Sequence, residues 1–115
     1  MSLIIPLHYS EYYLTLERET QNALVVFSSP HCSTCRNLKN HICTQEISIP
    51  VFEVDATMAI GLIEDFRIFH LPTLILYLSG NFHRFFSPNM RESIEKQIKE
   101  AYLLPPQEDP SCSMD

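Results

Sequence analysis

The chain has 115 residues, 45% of them hydrophobic, and a formal net charge of −6. That length suits one domain around one core, and the composition is globular rather than disordered. The acidic balance excludes the basic footprint that nucleic acid or an anionic membrane surface requires.

No apolar run approaches the roughly 20 residues of a membrane span. The start, MSLIIPLHYS, lacks the basic n-region of a secretory signal, so a cytoplasmic chain without membrane contact is expected. LIIPL can add an edge strand, where Pro6 is tolerated. YSEYYLTLERET (9–20) predicts a helix with Ser10 as N-cap and Tyr13, Leu14 and Leu16 as its apolar stripe. ALVVF (23–27) is too short and too uniformly apolar for a helix and predicts a fully buried strand, with a turn at Ser28-Ser29-Pro30. From Ser33 a second helix buries Cys35, Leu38 and Ile42, at i, i+3 and i+7.

PVFEV (50–54) predicts a strand, MAIGLIEDF (58–66) a third helix and TLILYL (73–78) another strand. Ser79-Gly80-Asn81 turns the chain into an antiparallel partner, FHRFF (82–86). Pro88 suits the first turn of a final helix through NMRESIEKQIKEAYL. Residues 1–104 therefore form one α/β domain. Residues 105–115, proline-rich and acidic, are expected to be a disordered tail.

The chain has four cysteines: Cys32, Cys35, Cys43 and Cys112. A CxxC in an α/β chain points to redox chemistry or metal. Structural zinc needs four close ligands. If residues 33–43 are helical, Cys43 lies eight residues beyond Cys35, about 12 Å along the axis, too far to share one ion or a disulfide. No metal site and no bound cofactor are expected. Cys43 reads as a structural thiol and Cys112 as a bystander.

Several segments together resemble thioredoxin and its relatives. ALVVFSSPHCSTCR is similar to that family's buried strand, loop, CxxC and basic helix opening. VFEVDA resembles the next strand with its terminal aspartate, and FRIFHLPTLILYLSGN the proline loop, core strand and glycine turn. The resemblance covers residues 9–103. It implies a thioredoxin-like fold, a central mixed sheet flanked by helices, with a cis Leu71–Pro72 loop beside the helix that the cysteines open. It also implies a thiol–disulfide oxidoreductase acting on protein substrates, a monomer served by an electron donor of the thioredoxin-reductase type. Departures from the family pattern are His31 for the tryptophan before the first cysteine, Ser33-Thr34 for Gly-Pro, Val26 for a buried carboxylate, and His70 for a glycine.

The residues carry the chemistry independently. A helix N-terminus stabilises a thiolate at Cys32, the attacking sulfur, and Cys35 on the apolar face is the resolving thiol. Hydroxyls of Ser33 and Thr34 can donate to that thiolate, and a protonated His31 acts in the same direction. Each shifts the pair toward a less reducing potential than thioredoxin's, about −270 mV. His31, Ser33, Thr34, His70, Leu71 and Pro72 are the expected substrate-binding residues, with an extended peptide pairing along the loop at Leu71. Phe69 either joins that groove or packs in the core. Valine at 26 cannot take a proton from Cys35, which leaves that task to Glu53, Asp55 or water. The alternative reading is an interaction module on the same fold with little turnover.

Overall fold

The computed structural model describes residues 2–112. Five strands form one sheet: β1 (Ile4–Pro6), β2 (Ala23–Ser28), β3 (Val51–Asp55), β4 (Thr73–Leu78) and β5 (Asn81–Phe86). Their order is β1-β3-β2-β4-β5. β1 and β2 each run parallel to β3, while β4 is antiparallel to both β2 and β5. Four helices complete the fold: α1 (Tyr12–Arg18), α2 (Ser33–Cys43), α3 (Ile60–Asp65) and α4 (Ile94–Tyr102). This is the mixed sheet flanked by helices that the sequence predicts.

β2 is the central strand and every residue of it is buried. Alternate side chains therefore feed two separate cores. Ala23, Val25 and Phe27 meet Tyr12 and Leu16 of α1, Leu62 of α3, and Phe66. Leu24 and Val26 meet Leu38 and Ile42 of α2 and Ile94 and Ile98 of α4. The β4–β5 connection is a two-residue turn with positive φ at Ser79 (50°) and Gly80 (88°), the geometry that matches strand twist. A Cβ at Gly80 would lie 3.1 Å from the Leu16 carbonyl oxygen, so glycine also lets the turn approach the end of α1.

Three expectations are corrected. In the first helix, a 3₁₀ turn over Tyr9–Glu11 precedes α1, and the His8 ring rather than Ser10 caps it, accepting from Ser10 N. In α1, Tyr12 and Leu16 are buried, while Tyr13 and Leu14 are about half exposed (47% and 49%). The final helix begins at Ile94 behind an N-cap at Ser93, so Pro88 lies in a loop ahead of it and not in its first turn.

The chain beyond residue 104 is hydrogen-bonded as far as it is described. Gln107 N donates to His83 O at 2.7 Å, and Phe85 N donates to Gln107 Oε1 at 2.9 Å. These are outward-facing groups of the edge strand β5, which a strand edge leaves open for any passing chain. Pro110–Cys112 ends this segment as a 3₁₀ turn; the last three residues of the expected tail lie outside the described residues.

Candidate active site

The site forms where β2 ends and β4 begins. The antiparallel register pairs Phe27 with Thr73, so the residues just after β2 lie beside those just before β4. Cys32 arrives from one side and Leu71-Pro72 from the other. The Leu71–Pro72 peptide is cis, and the Leu71 carbonyl oxygen is 3.9 Å from Cys32 Sγ.

Cys32 is the N-cap of α2. Its sulfur accepts the Cys35 backbone N–H at 3.1 Å. A capping oxygen normally holds this place, satisfying one of the free N–H groups of the first turn. The same donor and the helix dipole act on a thiolate there. Thr34 Oγ1 lies 3.4 Å from the sulfur. Cys32 and Cys35 are joined in a disulfide with Cα atoms 5.2 Å apart. Cys35 is only 1% exposed, whereas Cys32 is part-exposed. An incoming sulfur can therefore reach Cys32 and is shielded from Cys35.

His31, Ser33, Thr34 and His70 are exposed around this pair, and Leu71 and Pro72 are half-buried. The His70 carbonyl accepts from Thr73 Oγ1 at 2.6 Å, which fixes the loop at the start of β4. Phe69 is 90% exposed, so it belongs to the rim, and Ile68 packs against the ring-rich core in its place.

Val26 is fully buried among aliphatic side chains. Its Cα partner in the parallel register is Glu53. The Glu53 carboxylate accepts from Lys39 Nζ of α2 at 2.6 Å and from Ser28 Oγ. The carboxylate on this face of the sheet therefore stands on the strand next to Val26, part-buried and with a cationic partner. The sequence already points to Glu53. What it does not reveal is a wall beyond Pro72, made by Phe86, Pro88 and Met90, because Phe86 reads only as the end of a strand and Pro88 and Met90 as the start of a helix.

A disulfide opening a helix, one sulfur reachable and the other covered, set against a proline loop, is the apparatus of thiol–disulfide oxidoreductases. Comparison with known proteins narrows the class: residues 4–100 match the thioredoxin family, and the chain belongs to that family. Thioredoxin domain-containing protein 2 of Rattus norvegicus is 33% identical over 79 residues, which cover 66% of this chain and 14% of that protein. Mitochondrial thioredoxin 3 of Saccharomyces cerevisiae, in its oxidised form, has a TM-score of 0.69 at 17% identity, over 84% of this chain and 94% of that one. Thioredoxin from Trypanosoma brucei brucei gives 0.69 at 15%, over 88% and 92%. Human ERp44 in its zinc-bound form gives 0.63 at 18%, over 88% and 31%. These structural likenesses concern the fold. The family and the cysteine pair at disulfide distance together support thiol–disulfide oxidoreductase activity. Among the described residues, no helix is long and apolar enough to cross a membrane.

Proposed function

We propose that this chain exchanges disulfides with protein substrates through Cys32 and Cys35. The observation that carries the reading is the asymmetry of the pair: Cys32 part-exposed at a helix cap, Cys35 only 1% exposed one turn on. The Cys32 thiolate attacks a substrate disulfide, forms a mixed disulfide and releases one substrate thiolate. Cys35 then gives up its proton and attacks Cys32 Sγ. The Cys32–Cys35 disulfide forms, and the second substrate sulfur leaves and takes a proton. Two electrons pass to the substrate, and the reverse sequence oxidises it.

His31, Ser33, Thr34, His70, Leu71 and Pro72 form the binding surface, with the substrate backbone running beside Leu71. No bound cofactor enters the cycle. The reading treats the chain as a monomer in a reducing compartment such as the cytosol, where few structural disulfides are made. There a donor of the thioredoxin-reductase type regenerates the dithiol.

One observation favours a second reading, an interaction module with little turnover: valine fills the position of the family's buried acid. A Cys35→Ser variant separates the two. With the resolving thiol removed, Cys32 should retain several substrates as mixed disulfides that dithiothreitol releases. The parent protein should reduce insulin. Absence of both capture and insulin reduction leaves only the binding module.

A further inference from the structure

β5 is joined to α4 by residues 87–93, a loop where the sequence predicts helix. Gln97, in the first turns of α4, reaches back to hold it. Asn89 N donates to Gln97 Oε1 at 2.6 Å. Gln97 Nε2 donates to the Asn89 carbonyl at 2.7 Å and lies 3.3 Å from those of Glu92 and Ser93. Arg91 N donates to Asn89 Oδ1 at 2.9 Å. A single side chain thus serves four backbone groups and fixes the loop.

The fixed loop is one wall of a cavity of about 520 Å³ whose other walls include Thr34, Leu38, Phe69 and Phe86, with Pro88 and Met90 on the loop itself. That volume is within the range of small-ligand pockets. The cavity adjoins the dithiol, although neither cysteine lines it. Thr34, one of its walls, is 3.4 Å from Cys32 Sγ, and Pro72, another, follows the Leu71 carbonyl that faces the same sulfur. An extended peptide advances about 3.3 Å per residue, so the neighbour of a cysteine bonded to Cys32 arrives at its mouth. The ionisable side chains lining the cavity are Arg67 and His70, with no carboxylate among them.

We propose that this cavity is a specificity pocket for the side chain next to the substrate's reactive cysteine. It takes a large apolar residue, best an aromatic ring, and Gln97 is the positioning residue that keeps it open. The inference rests on the exchange reaction proposed above.

The test uses synthetic peptide disulfides identical except beside the cysteine, carrying Phe, Ala or Lys there, and the full chain. Burying a phenylalanine ring should raise kcat/KM about tenfold or more over alanine, mainly through KM, and lysine should fall below alanine. Gln97→Met, similar in shape but without the hydrogen bonds, should cut the Phe-to-Ala ratio to about threefold or less. Met90→Trp, which fills the cavity and leaves the Gln97 ties in place, should do the same and serves if Gln97→Met does not fold. Equal kcat/KM for the Phe and Ala peptides would overturn the pocket and leave the exchange reaction standing, as would an unchanged ratio in folded Met90→Trp. Failure to reduce any of the peptides overturns the exchange reading, and the pocket with it.

Discussion

The two faces of the sheet are built from different materials. Under α1 and α3, rings pack on rings: Phe66 lies 5.6 Å from Tyr12, 6.1 Å from Phe27 and 6.2 Å from Phe82, centroid to centroid. Inside this face the Tyr12 and Tyr77 hydroxyls share a buried hydrogen bond of 2.7 Å. Under α2 and α4 the packing is mostly aliphatic, from Leu24 and Val26 to Ile42 and Ile98. Polar groups enter that face at two places: the Ser28–Glu53–Lys39 cluster near the dithiol, and the buried His83 ring with Tyr102 beside the end of α4. The ring face packs aromatic side chain on aromatic side chain, and the aliphatic face seats the dithiol helix on Leu24, Val26, Leu38 and Ile42 with no carboxylate among them, so protons must reach Cys35 from the edge.

The largest effect should come from the ring face. Phe66→Ala removes a fully buried ring with four aromatic neighbours and should lower stability by about 3–5 kcal/mol. On the other face, Ile42→Val removes one buried methylene and should lose about 1 kcal/mol. Urea unfolding of both variants gives the comparison directly. Equal losses would show that the ring face bears no special share.

Second in size is Val26→Asp, which puts a carboxylate into the aliphatic face. Burial disfavours its charged form, so its folded-state pKa rises above the ordinary value of about 3.9. The penalty is absent below that pH and grows as pH rises, reaching about 3 kcal/mol near neutrality. The same acid, placed to accept a proton from Cys35, should speed release of the mixed disulfide. A stability loss with no faster release would mean that Glu53 or water already handles the proton.

Much of this was legible in the residues. ALVVF could only be a strand buried on both sides, and Cys35, Leu38 and Ile42 at helical spacing fixed the covered side of α2. Together with HLPT these place the dithiol. The failures have physical causes. Of the expected stripe of α1 only Leu16 is buried, one turn after Tyr12; Tyr13 and Leu14 flank that i, i+4 line and stay half exposed. The start of α4 was misplaced because side chains, not local propensity, decide it: Gln97 binds the loop ahead of the helix. Residues 105–115 read as a disordered tail on composition; Gln107 within it bonds the open edge of β5, since a strand edge gives polar chain a partner. Loop 87–93 is the least legible segment and forms a wall of the cavity beside the dithiol, so the cavity on which the proposed substrate preference rests is hidden with it.

The smallest effect belongs to the hydroxyl pair inside the ring face. Tyr12→Phe leaves the Tyr77 hydroxyl buried without its partner and should lose about 1–2 kcal/mol. Adding Tyr77→Phe removes the orphan, so the double variant should be no less stable than the single one. The pair also sets an alkaline limit. Burial raises the Tyr12 phenol well above its usual range, and the neighbouring Tyr77 adds to this; burial raises Tyr77 as well. A group raised in the folded state has its full effect below its unfolded pKa, about 10 for tyrosine. Above that pH the unfolded chain ionises first and stability falls. Unfolding midpoints should therefore be flat with respect to these phenols up to about pH 10 and decline beyond it. The double phenylalanine variant should decline less steeply. A residual slope should survive from Tyr102, which burial also raises and whose hydroxyl donates to the Tyr77 carbonyl at 2.7 Å. An alkaline slope unchanged by the double substitution would place the limit outside the Tyr12–Tyr77 pair.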